Sequence, residues 1–124
     1  MTTDQDPDCL FCRIAAGKLG TGKAAAPLLH DDELVIAIRD IAPRAPTHIL
    51  LIPRRHIPSA LHLADTDGPL LGRLFAVAAD LARSEGIADA GYRLVTNVGR
   101  WGGQSVDHLH VHLMGGRPFE WPPG

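Results

Sequence analysis

Three histidines recur at every second position in His108-Leu109-His110-Val111-His112-Leu113-Met114. In a β-strand successive side chains point to opposite faces, so the imidazoles share one face and Leu109, Val111 and Leu113 the other. They then stand in a row about 6.6 Å apart. A helix would scatter them, because positions i, i+2 and i+4 do not share a helical face. Each neutral imidazole offers one donor and one acceptor nitrogen and titrates near neutrality. Three uses compete. The row can be a solvated polar face, for which strict alternation is a poor explanation. It can hold a catalytic zinc with an open position for water. Or one histidine can attack phosphorus covalently while its neighbours hold phosphate oxygens or move protons.

The preceding loop favours the last of these. Gly102 and Gly103 permit a tight backbone path whose N–H groups can face an anion, and Gln104 and Ser105 add side-chain hydrogen-bonding groups. Together they form a plausible phosphate cradle. Elsewhere, Cys9-Leu10-Phe11-Cys12 is half a zinc site or a redox pair, and a zinc site would need further ligands from distant residues. His48 sits in an apolar run, where it is either functional or a satisfied core histidine. Asp40, ahead of Pro43, is either a site residue or a turn residue. His30 and His62 belong to no motif and read as surface or packing residues.

The elements that position these groups follow from periodicity. Residues 1–7 read as a flexible lead-in and residues 8–124 as one domain. A short helical turn is expected over 9–18, ending at Gly17. Residues 28–30 and 33–39 read as two strands joined at Asp31-Asp32, and 47–53 as a buried strand stopped by Pro53. Between 67 and 85 the residues Leu70, Leu71, Leu74, Phe75, Ala78, Leu81 and Ala82 recur at three- and four-residue intervals, which predicts one long helix. Thr66 or Asp67 can cap it, Pro69 suits its first turn, and Gly86 suits the position past its end. Residues 92–98 form a further strand, joined to the histidine strand by the glycine-rich loop. The Gly- and Pro-dominated tail from Gly115 is irregular. Strands outnumber helices and their links are short, so the class is α+β: an antiparallel sheet with the long helix packed on one face.

Composition bounds the function. A chain of 124 residues with 45% hydrophobic and 21% charged residues is an ordinary globular domain. A net charge of −2 argues against a nucleic-acid groove or an anionic membrane surface as partner. No apolar run approaches the roughly 20 residues of a membrane span, and the polar start Met1-Thr2-Thr3-Asp4 resembles no signal peptide. A cytoplasmic location is the default expectation.

The histidine row resembles the His-φ-His-φ-His-φ-φ signature of the histidine triad (HIT) superfamily of nucleotide hydrolases and transferases. Arg39-Asp40-Ile41, Ala45-Pro46-Thr47-His48, Ile52-Pro53-Arg54-Arg55-His56-Ile57, Gly91-Tyr92-Arg93, Gly102-Gly103-Gln104-Ser105-Val106 and Trp121-Pro122-Pro123-Gly124 are similar to its Hint branch, from about Cys9 to the last residue. The resemblance implies a homodimer that hydrolyses purine nucleoside phosphoramidates without needing a metal for the chemistry. It makes His110 the nucleophile that forms a nucleotidyl-histidine. His112 and Ser105 would contact the phosphate and help protonate the leaving amine, and His48 would orient the nucleophile. Asn97, Gly103 and Gln104 match phosphate-loop positions, Asp40 and Ile41 line the nucleoside pocket, and Trp121 lies in a tail that reaches a partner's site. Some bacterial relatives also hold a structural zinc, and the matching ligands are Cys9, Cys12, His56 and His108.

Two departures stand out. Asp107 occupies a position where the branch usually has an aromatic residue, and Arg100 and Trp101 add bulk and charge before Gly102, on the leaving-group side. Two other functions remain open at the level of sequence: a dinucleoside polyphosphate hydrolase or nucleotidyl transferase using the same nucleophile, and a nucleotide-binding regulatory protein with incidental turnover.

Overall fold

The computed structural model describes residues 6–17 and 27–124. Five strands form one antiparallel sheet in the order β1-β2-β3-β5-β4, with β1 Leu28–Asp31, β2 Val35–Arg39, β3 Thr47–Pro53, β4 Tyr92–Val95 and β5 Val111–Gly115. Two helices accompany it, α1 Leu10–Ala15 and α2 Gly68–Ser84. The expected α+β class is what the chain adopts.

Both faces of the sheet are covered, which explains why β2 and β3 read as continuous apolar runs rather than alternating ones. Val35, Ala37, Ile49, Leu51, Val111 and Leu113 pack on one face against Leu70, Leu74, Val77, Ala78 and Leu81 of α2. On the other face Ile36, Ile38, Leu50 and Ile52 pack against Phe11, Ile14 and Ala15 of α1. Leu109 joins the α2 cluster, so His108, His110 and His112 fall on the α1 side, as their alternation requires.

The local signals explain most boundaries. The β1–β2 turn closes because Asp32 Oδ1 accepts the N–H groups of Leu34 (2.7 Å) and Val35 (2.8 Å), while Arg73 Nε donates to Oδ2 (2.8 Å). Helix α2 ends one residue before Glu85, and Gly86 adopts φ +75°, the left-handed conformation that closes helix ends. Asp67 occupies its N-cap position but does not cap it. Its buried carboxylate instead accepts from Ala64 N–H (2.9 Å) and from Arg55.

Three strands are shorter than their patterns suggest, and β2 begins at Val35 rather than residue 33. Strand β4 stops at Val95 rather than residue 98, and β5 begins at Val111 rather than His108. On the β3 side the ladder runs out at Pro53, which has no N–H to donate. Leu109 N–H turns instead to Ile57 O at 2.6 Å. On the β4 side the Thr96 hydroxyl donates to His110 O at 2.8 Å, replacing a ladder bond. The lead-in is held where it is described: Asp6 O accepts from Cys9 N–H and Asp6 N–H donates to Cys12 Sγ. The rest of the expected flexible segment, residues 1–5, and the end of the first helical turn at Lys18 lie outside the described residues. Among the described residues, no helix is long and apolar enough to cross a membrane.

Candidate active site and metal centre

Strand β3 brings His48 beside the histidine row, because β3 and β5 pair with Leu50 opposite His112 and His48 opposite Met114. His48 and His112 are then diagonal neighbours on one face. Hydrogen-bond partners settle which nitrogen of each ring carries the proton. A carbonyl only accepts, so His110 donates from Nδ1 to His108 O at 2.7 Å, which leaves Nε2 with its lone pair. Arg44 N–H donates to His48 Nδ1 at 3.0 Å, so the proton of His48 is on Nε2. That nitrogen lies 2.9 Å from His112 Nδ1 and donates to it, which puts the proton of His112 on its own Nε2. The rings of His110 and His112 are 5.0 Å apart. A bare imidazole nitrogen and an imidazole N–H therefore stand side by side.

Burial favours the neutral forms of His48 and His112. It is the main cause pushing His112 down to about 4, reinforced by His110 and His48. It also lowers His48, with Arg44 adding to the shift and Asp40 opposing it. Asp40 Oδ2 lies 3.4 Å from His48 Nε2 and its Oδ1 accepts from Ala42 N–H, so it is a neighbour of a neutral ring rather than half of a salt bridge. Asp40, His48 and His112 converge closely enough to suggest a cation site. The tautomers argue against it, since both nitrogens of His48 are committed to hydrogen bonds.

A second cluster lies under the first. Cys9 Sγ and Cys12 Sγ are 3.3 and 3.4 Å from His108 Nδ1, and His56 Nδ1 is 3.3 Å from Cys12 Sγ and 3.2 Å from His108 Nδ1. A tetrahedral zinc with S and N ligands at its usual bond lengths separates ligand atoms by about 3.3–3.8 Å, so the four donors fit such an ion. The donor chemistry agrees. His108 donates a hydrogen bond from Nε2 to Pro53 O at 2.7 Å, which leaves the Nδ1 lone pair facing the cysteines. Burial pushes Cys12 up to about 11 and His108 down to about 4, the reverse of what bound metal would do to the thiol. Bound there, zinc would supply a closed structural cross-link, leaving His110 and His112 outside its shell.

The remaining expected residues are spread around this core. Gln104 is turned into its own loop: Oε1 accepts from Gly99 N–H, and Nε2 donates to Pro58 O and Val106 O. Gly103 N–H likewise bonds Arg100 O. Ser105 and Asp107 are exposed and line a depression shared with Cys9 and His56, while Asn97 is half-buried after β4. Ile41, Trp101 and Trp121 are almost wholly exposed. The tail that carries Trp121 is tied back to β4 by Arg93, which donates to Glu120 O and lies over the Phe119 ring. His30 is half-buried and bonds Asp32 (2.6 Å), and His62 is exposed and bonds Ser59 (3.0 Å), in line with their reading as surface or packing residues. Sequence reasoning missed Phe11, whose ring stands edge-on to both His108 and His110. Its place between the two cysteines was the available signal. Thr96 and the Arg44 N–H carried none.

This pairing of a bare imidazole nitrogen with an imidazole N–H beside a Cys2His2 cluster, on an antiparallel sheet, defines a histidine-triad type of site. Residues 21–119 match the model of the HIT domain, and the chain belongs to that family. It is 52% identical over 92 residues to the purine nucleoside phosphoramidase of Escherichia coli K12, covering 74% of this chain and 77% of that protein. It is 46% identical over 117 residues to an uncharacterised HIT-like protein of Synechocystis, covering 94% and 97% of the two chains. A crystal structure of a HIT family hydrolase from Legionella pneumophila superposes with a TM-score of 0.88 at 46% identity, covering 94% of this chain and all of that one.

Proposed function

We propose that this protein hydrolyses the P–N bond of purine nucleoside 5′-phosphoramidates through a nucleotidyl-His110 intermediate. The carrying observation is the Nδ1–H···O=C bond from His110 to His108, which leaves the Nε2 lone pair free beside the His112 N–H. The kinship with a purine nucleoside phosphoramidase supports the substrate class.

In the first half-reaction Nε2 of His110 bonds to the α-phosphorus, the P–N bond breaks, and the leaving nitrogen takes up a proton through Ser105 and His112. In the second, water attacks phosphorus, the P–Nε2 bond breaks with its electron pair returning to His110, and the proton consumed earlier is released. His112 Nε2–H donates a hydrogen bond to a phosphoryl oxygen. Asp40 and Ile41 face the nucleoside, and Asn97, Gly103 and Gln104 shape the phosphate side, Gln104 by holding the loop. Cys9, Cys12, His56 and His108 hold structural zinc. Thiols reserved for a metal suit a reducing compartment, which supports a cytoplasmic location. Residues 8–124 act as one HIT domain and pair with a second copy, whose tail would bring Trp121 to this site.

Steady-state hydrolysis of adenosine 5′-phosphoramidate tests the reading. Turnover should fall at least about a thousandfold in His110→Ala. The wild-type protein quenched in acid should carry the mass of one nucleoside monophosphate. Preference for a dinucleoside tetraphosphate would move the chain to polyphosphate hydrolysis or nucleotidyl transfer. Binding without turnover of either would make it a nucleotide-binding protein.

A further inference from the structure

Helix α1 has six residues, too few to stand on its own hydrogen bonds. Its apolar side packs on the sheet through Phe11, Ile14 and Ala15. Its other anchor is chemical: Cys9 and Cys12, at the start of the helix, converge on the ring nitrogens of His56 and His108. Between the cysteines the Phe11 ring, itself buried, meets two imidazoles edge-on. Its centroid is 5.9 Å from His108 at 72° and 5.0 Å from His110 at 88°. His108 is fully buried, and its carbonyl accepts the Nδ1–H of His110. Two ties therefore reach His110 from one centre, the first along the main chain of His108 and the second through the ring of Phe11.

We infer that the Cys9-Cys12-His56-His108 centre positions the His110 imidazole, and that Phe11 is the positioning residue that transmits the order of the centre to that ring. The inference rests on the reading of His110 as nucleophile. The hydrogen bond to His108 selects the tautomer only while the ring stays in line with that carbonyl, and alone it leaves the ring free to rock out of line. The edge of Phe11 on one side and His112 on the other fix the ring plane, and hence the direction of the Nε2 lone pair. A metal ion bound by the four donors clamps the base of α1 and holds Phe11 in place. Without it the thiols and imidazoles keep weak S–H···N bonds and the His56–His108 contact, and Phe11 moves with a helix that has lost the anchor at its start.

The test compares four samples: zinc-loaded protein, the same protein stripped by chelator, the stripped protein resupplied with Zn²⁺, and zinc-loaded Phe11→Leu. Three quantities are read: zinc content, the ring-nitrogen chemical shifts of His110 assigned by their loss in His110→Ala, and the separate kcat and KM for adenosine 5′-phosphoramidate. Loaded protein should show His110 protonated at Nδ1 alone. Stripping and Phe11→Leu should each draw its two ring nitrogens toward averaged shifts, with kcat lower by about tenfold or more. Zn²⁺ should restore the stripped protein, and Phe11→Leu should keep its zinc while showing the defect.

Unchanged His110 shifts in either the folded stripped protein or zinc-loaded Phe11→Leu would overturn the inference. If stripping unfolds the chain, zinc-loaded Phe11→Leu decides it alone. Absence of phosphoramidate turnover, or its survival in His110→Ala, would instead sink the proposed function, and the ring shifts would still report whether the centre orders His110.

Discussion

A neutral imidazole carries one N–H, and each histidine of this site is distinguished by where that proton is directed. His108 gives it to Pro53 O and turns its lone pair to the cysteines, whereas His110 gives it to His108 O and keeps the lone pair of Nε2 free. His48 gives it to His112, which leaves the Nε2–H of His112 for a substrate oxygen. Four rings of the same intrinsic chemistry are thus set apart by their partners, in the way the proposed roles of ligand, nucleophile, orienting group and donor require. His48→Ala leaves both the Arg44 N–H and His112 Nδ1 without this partner. The loss should destabilise the fold by about 1–3 kcal/mol. It should also lower kcat/KM by about 10- to 100-fold, because His112 no longer has a fixed tautomer. Chemical denaturation and steady-state kinetics on one preparation would check both. An unchanged kcat/KM would show that the proton of His112 is not set by His48.

At the scale of elements, the site depends on a loop as much as on strands. Residues 96–110 leave the sheet where Pro53 and Thr96 end the ladder, and they return as the histidine row. Gln104 staples this excursion to the chain at Pro58 and to Gly99, so its amide serves the shape of the loop. Gly102 makes that shape possible. A Cβ there would lie 2.4 Å from Val98 O, a backbone atom that cannot move aside alone. Gly102→Ala should therefore displace the phosphate side of the site and reduce kcat/KM by about tenfold or more. The melting temperature should change little, because residues 101–103 are exposed and outside the core. A variant of wild-type activity would show that the loop conformation is not needed.

Among the described residues the sheet has two edge strands, β1 and β4, and an apolar surface lies beside the second. Strand β4 ends the sheet, its side chains are half-buried, and beside it Leu71, Phe75 and Leu94 line a depression of about 160 Å³. Phe75 is 55% exposed. A second copy seated there would bury this surface, as the proposed homodimer requires. Phe75→Glu should convert the dimer to monomer in sedimentation velocity, and a wild-type monomer would remove the premise.

Stability should also respond to acid in two stages. Burial lowers His112 from 6.5 to about 4 on folding, so between those values the unfolded chain binds more protons and stability falls as pH falls through that window. Asp32 acts later. Burial opposes ionisation of its carboxyl, but bonds from His30, Leu34, Val35 and Arg73 outweigh that and hold it well below its ordinary value of 3.8. Its contribution is present above that value and is lost as pH drops further. Denaturation midpoints against pH should show both stages, with the first shallower in His112→Asn. Equal slopes between pH 6.5 and 4 would refute the assignment to His112.

Periodicity alone determined which residues share a face. The alternation of His108, His110 and His112 with Leu109, Val111 and Leu113 placed the imidazoles on one side although only the last part of the run is strand. The stripe from Leu70 to Ala82 likewise marked α2, and the apolar run 47–53 marked β3. Such patterns are legible because residues per turn and pleat alternation are properties of the local backbone. Motif resemblance added the family and the candidate ligands. Only the tertiary structure decided the rest: that Cys9 and Cys12 meet His108 across 99 and 96 residues of chain, and His56 meets Cys12 across 44. It also decided that His48 donates a hydrogen bond to His112, that Gln104 faces its own loop, and that Phe11 stands edge-on to His110. These facts depend on the register of β3 against β5 and on the seat of α1. Both are set by packing between segments far apart in sequence, which local periodicity does not encode.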